Sequence, residues 1–150
     1  MTLAKLLVVA SLAWPMILGG ALWHRTQHPA AADPAVWPFV VYMAAGAVCH
    51  QIAERSFHAG DQKWPVCARC AGLYLAAPIG ALAMVSLRRG RNSRTARLTW
   101  LAVAAVPTVL TLAWEWGGFG TPPNLVRAMT ALPLGAAIAA VLIFEATRID

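Results

Sequence analysis

Residues Cys67–Arg97 read CARCAGLYLAAPIGALAMVSLRRGRNSRTAR. The middle, Ala71–Leu87, runs 17 residues without a charge, and the end carries five arginines in ten positions. A helix that crosses a bilayer needs about 20 mostly apolar residues, within a range of roughly 17–25. A short basic loop beside such a run is what the positive-inside rule expects of a cytoplasmic loop. This stretch therefore reads as a membrane span entered past a C-x-x-C pair and left through a basic loop.

The same signature recurs outward. Leu6–Trp23 has no charge in 18 residues, Leu98–Trp114 none in 17 and Ala128–Phe144 none in 17. A fifth run, Pro34–Cys49, is shorter at 16 and would span only if tightly fitted or anchored. The chain is 59% hydrophobic and 12% charged, against about 25% charged in soluble domains. The fold class expected is an all-α, polytopic membrane bundle of about five helices, near 3–23, 34–52, 68–87, 97–116 and 124–145. That leaves one integral membrane domain over 1–150 and no room for a soluble module. The lipid bilayer is the first partner.

The net charge of +6 is not a nucleic-acid signal, because the arginines concentrate in the Arg88–Arg97 loop. Placing that loop and the C-terminus in the cytoplasm of an inner membrane puts the cysteine-bearing loop, and the N-terminus, outside by alternation of five spans. The alternative for the first run is a cleaved signal peptide, with Lys5 as its basic region and Gly19-Gly20-Ala21 as small residues for cleavage. Its apolar run exceeds the usual 7–15 residues. Small residues every fourth position, at Gly72, Ala76 and Gly80 and at Ala131, Gly135 and Ala139, predict helix backbones in close approach. Each run holds a proline, tolerated in membrane helices where neighbours satisfy the freed carbonyls. Trp23, Trp37, Trp64, Trp100, Trp114 and Trp116 sit near run ends as interfacial anchors.

All three cysteines and two of the four histidines fall within Cys49–Gly72, CHQIAERSFHAGDQKWPVCARCAG. Cys67 and Cys70, if helical, are i and i+3 on one face, with Tyr74 one turn on. A helix start favours a thiolate, and Arg69 adds a cation. Cys49-His50 lies at the end of the second run, and the polar residues 51–66 can fold it back. Cys49, Cys67, Cys70 and His50, or His58, make a Cys₃His set suited to tetrahedral zinc; copper(I) also suits thiolates. Buried structural cysteines or a disulfide are the plainer readings, but the three cluster at one membrane face and their number is odd. Gln51, Arg55, Arg69 and Tyr74 are supporting residues. Glu115 and Arg127 are the obvious ion pair, since an ionisable group in a membrane helix normally has a partner. A sharper expectation is that Arg127 faces the cysteines. His24 and His28 belong, by this topology, to the opposite end.

The pattern Cys49-His50-Gln51, Glu54-Arg55-Ser56-Phe57, Gly60, Pro65-Val66-Cys67, Arg69-Cys70, Gly72 and Tyr74 resembles a family of small bacterial and archaeal multi-pass membrane proteins of unknown function. Asn124, Arg127 and Gly135 fit its later segment; Thr111 stands in place of an aspartate and Ala53 in place of a proline. The resemblance implies a membrane location and a shared Cys/His site over about residues 36–140, and no activity.

Three functions are open at this stage. The first is a metal-binding membrane protein holding zinc or copper(I) at the extracytoplasmic face. The second is a thiol–disulfide oxidoreductase using Cys67, Cys70 and Cys49. The third is an accessory subunit docking a membrane or extracytoplasmic protein partner. No H-E-x-x-H, phosphate loop or Ser/His/Asp arrangement is present, so hydrolysis has no support, and no repeated halves point to transport.

Overall fold

The computed structural model describes residues 2–28, 35–87 and 93–149. Part of the basic loop, Arg88 to Asn92, lies outside the described residues. In chain order the elements are α1 (Leu3–Gln27), α2 (Trp37–Gly46), a 3₁₀ turn (Ala53–Arg55), β1 (Ser56–Ala59), β2 (Gln62–Cys67), α3 (Ala68–Leu87), α4 (Arg94–Trp116) and α5 (Asn124–Ile149). Four helices, α1, α3, α4 and α5, are long and apolar enough to cross a membrane.

The fifth expected span is corrected. The second helix stops at Gly46 rather than near residue 52. Ten residues at 1.5 Å each reach about 15 Å, half of a hydrocarbon core of about 30 Å. Past Gly46 the chain turns, and Gln51 takes a left-handed backbone with φ 49°. The Gln51 amide then donates to the carbonyls of Tyr42 and Pro65, at 2.7 Å each. Chain turn and amide together pin the end of α2 onto β2, at the same end of the bundle from which α2 started.

The polar residues 51–66, expected as a loop, form an antiparallel hairpin. Its strands pair Ala59 with Gln62, His58 with Lys63 and Ser56 with Cys67, with an irregularity between Ser56 and His58. Gly60 supplies the turn with φ 59°, which favours glycine. Tyr42 donates its hydroxyl to the Lys63 carbonyl at 2.5 Å, fastening the hairpin to α2.

With α2 not crossing, the ends of the bundle regroup. Leu7 and Val8 of α1 pack with Ala81 and Met84 of α3 and Ile143 of α5. Further along, Leu18 and Ala21 pack with Ala45, Cys49 and Ala71. So α1 and α3 are antiparallel, and the start of α1 shares an end with the close of α3 and the start of α4. The expectation that the N-terminus and the basic loop occupy opposite ends is overturned for this reason. His24 and His28, expected opposite the cysteines, lie at the cysteine end, stacked with centroids 4.6 Å apart.

The tightest seam joins α3 and α5. A methyl group at Gly72 would fall on the Ala128 carbonyl, one at Gly80 on the Ala136 carbonyl and one at Gly135 on the Leu73 carbonyl. Backbones this close gain dispersion along their length, which drives helix association in lipid. Ser93 caps α4, its Oγ accepting from the Ala96 N–H at 3.2 Å. At the far end Arg97 pairs with Glu145 at 2.7 Å, tying the start of α4 to the close of α5. The apolar side chains of α4 point largely outward, as a lipid-facing helix requires.

Candidate functional site

At the hairpin end two clusters of polar groups sit side by side. The first is sulfur. Cys49 follows α2 and is buried; Cys67 closes β2; Cys70 lies in the first turn of α3. Their three Sγ atoms lie within 4.8 Å of one another, a group that could hold a metal ion. All three are free thiols. The expected i, i+3 helical pair is nearly right: Cys67 is the last strand residue rather than the first helical one. It stands where an N-cap stands, facing the orphan N–H groups of α3.

That position governs its acidity. A hydrogen bond from the Cys70 thiol, with the backbone N–H groups of Cys70 and Arg69 and a contact to Cys49, lowers the Cys67 thiol to about 5 against the opposing effect of burial. The Cys67 N–H in turn donates to the Cys49 sulfur at 3.1 Å, so strand β2 and the end of α2 share the cluster. Tyr74 packs against the same core, its ring meeting Trp14 of α1 edge-on at 6.2 Å.

The second cluster is ionic. Glu115, at the close of α4, has a side chain only 5% exposed and receives three arginines. Arg127 of α5 approaches its Oε1 at 2.8 Å, Arg55 the same oxygen at 2.9 Å, and Arg69 its Oε2 at 2.9 Å. Asn124 orders this cluster. Its amide donates to the carbonyls of Glu54 and Ser56, and its Oδ1 accepts from Arg127 at 3.3 Å. The expected Glu115–Arg127 pair is present, but Arg127 spends its charge on Glu115 rather than on the thiols. Arg69, between the two cysteines of the C-x-x-C, joins the clusters: Cys67 and Cys70 belong to one and Arg69 to the other.

His50 is exposed and outside the sulfur group, and His58 is exposed on β1. Gln51 serves as the brace described above. Sequence reasoning did not find that Arg55 and Arg69 converge on Glu115, nor that Ser56 is buried beneath Asn124. A signal for the first existed: three arginines and one glutamate fall at one membrane face, and a buried carboxylate there must collect cations.

Fold and site define a polytopic helical membrane protein with a three-cysteine centre at one end of the bundle. The chain belongs to the family described as "Predicted membrane protein (DUF2085)", which matches residues 49–141. It is similar to the uncharacterized protein MJ1492 of Methanocaldococcus jannaschii, 26% identical over 102 residues, which are 66% of this chain and 65% of that protein. The chain thus spans a little under two thirds of that relative's length. An uncharacterized protein of Methanothermobacter thermautotrophicus is 31% identical over 100 residues, 67% of this chain and 88% of its own. No solved structure matches the chain.

Proposed function

We propose that Cys49, Cys67 and Cys70 bind one soft metal ion, zinc or copper(I), at the extracytoplasmic face of the membrane. The observation that carries this is the approach of three sulfurs from three separate segments to within 4.8 Å. Tetrahedral zinc with Zn–S bonds near 2.3 Å separates its sulfurs by about 3.8 Å, so the group closes on an ion with a small contraction. Copper(I) is satisfied by thiolates alone. Zinc takes a fourth ligand, for which exposed His50, beside Cys49, is the candidate. The low-pKa Cys67 supplies a thiolate ready for metal at neutral pH.

The regrouped bundle supports this choice of face. Lys5, Arg94, Arg97 and Arg148 share the end away from the cysteines, and the positive-inside rule assigns that end to the cytoplasm. The start of α1 and the close of α5 are then cytoplasmic, and both polar clusters face outward.

Thiol–disulfide exchange is the competing reading, favoured by the acidity of Cys67 beside Cys70, since exchange needs a low-pKa thiolate. Metal analysis separates the two. The protein, purified in detergent without added metal, is expected to carry about one zinc or copper per chain, lost in Cys67→Ser/Cys70→Ser. Absence of metal together with one free thiol per chain would replace metal binding by redox exchange.

A further inference from the structure

The ionic cluster is unbalanced. Three guanidiniums meet one buried carboxylate, a surplus of two positive charges, reduced to one by the exposed Glu54 nearby. Arg127 is 2% exposed. Among the described residues neither its Nε nor that of Arg69 has a hydrogen-bond partner. A buried guanidinium with an unused N–H, in an environment short of negative charge, is costly unless an anion completes it.

A cavity of about 520 Å³ opens where that anion would sit, lined by Arg55, Arg127, Asn124, Thr121 and Glu54. Arg55 and Arg127 already share one Glu115 oxygen, so their guanidiniums are close enough for one oxyanion to bridge. Asn124, the first residue of the 26-residue helix α5, lines the same cavity, and a helix start favours negative charge. The segment Thr121-Pro122-Pro123 forms a wall between this cavity and a second one of about 470 Å³. That second cavity is lined by Leu110 and Trp114 of α4, Val126 of α5 and Phe119 of the segment between them.

We infer that the paired cavities bind a phosphate-bearing lipid, its headgroup phosphate on Arg127 and Arg55 and its acyl chain against Leu110, Trp114 and Val126. Polar and apolar cavities that share one wall at a membrane face match an amphiphile better than a free oxyanion. The guanidinium fork matches phosphate bidentately. The site is independent of the metal reading, because it uses no sulfur ligand.

The test is a thermal-unfolding titration of the full chain in neutral detergent with three probes: short-chain phosphatidylglycerol, short-chain phosphatidylcholine and inorganic phosphate. Phosphatidylglycerol is expected to raise the midpoint saturably. Arg55→Gln, at a half-exposed position that should leave the fold intact, is expected to weaken this by about tenfold or more. Arg94→Gln at the other end, a control for general basic attraction, is expected to leave it unchanged. Equal stabilisation by inorganic phosphate would overturn the lipid assignment. A phosphatidylglycerol effect that survives Arg55→Gln, or that Arg94→Gln removes, would overturn the site.

Discussion

The sulfur cluster and the arginine–glutamate cluster lie side by side at one end of the bundle, and each is assembled from distant segments. They differ in what holds them. The sulfur atoms are brought together by backbone architecture: the end of α2, the close of β2 and the first turn of α3. The ionic cluster is held by side-chain ion pairs and by Asn124, with Glu115 of α4 joined to Arg55 before the hairpin, Arg69 of α3 and Arg127 of α5. Remove its carboxylate and three cations are left facing each other in a poorly solvated place. The contrast makes the ionic cluster the expected clasp of the fold and the softer, more reactive cluster the lesser contributor to it.

The largest effect should come from breaking the clasp. Glu115→Gln strands the buried Arg127 and is expected to cost about 3–5 kcal/mol of stability, the usual penalty for removing one partner of a buried pair. Unfolding by a graded denaturing detergent checks it, and a midpoint equal to that of the wild type would contradict the assignment. Cys67→Ser should do the reverse. It is expected to abolish metal retention while costing the metal-free protein less stability than Glu115→Gln does.

Arg69 is where the comparison can be sharpened. Arg69→Gln should lower stability by about 1–3 kcal/mol, the range for a hydrogen bond to a charged group. Its effect on metal affinity should stay below about tenfold, because the guanidinium serves Glu115 and not the sulfurs. A large loss of metal with little loss of stability would reassign Arg69 to the sulfur cluster.

Acidity offers a smaller effect. The folded-state thiol of Cys67 is lowered to about 5, so it is already a thiolate at neutral pH. In metal-free protein its alkylation rate should hold nearly level from pH 8 to pH 6 and fall as the pH is taken through about 5. Being lowered on folding, the group contributes stability that is present above the ordinary thiol pKa and is lost as the pH falls through the folded value. A rate that declines steadily from pH 9 would show an ordinary thiol. The smallest effect is expected at His50: His50→Ala should lower copper(I) affinity by less than about tenfold, since that ion is complete with three sulfurs.

Much of this was legible in the chain. Four uncharged runs gave four helices long and apolar enough to span, because each run is long enough for hydropathy to decide it. The glycines at 72, 80 and 135 do lie at a close seam. The cysteines grouped because their spacing and polarity already set them apart from the lipid-facing sequence. Pro34–Cys49 misled because its hydropathy is that of a span. What stops the helix is tertiary: Gln51 turns the backbone and braces Tyr42 and Pro65, contacts 9 and 14 residues apart in sequence. From that one short helix came the inverted placement of the N-terminus and of His24 and His28. The hairpin was hidden by its shortness, and the convergence on Glu115 by sequence separations of 46 and 12 for two of its arginines.

Under the proposed function, three sulfurs share one metal ion. X-ray absorption at the metal edge of the purified protein tests it most directly, since it counts the atoms bound to the ion. Three sulfurs are expected in the innermost shell, at about 2.3 Å if the ion is zinc. An innermost shell of nitrogen and oxygen alone would contradict it.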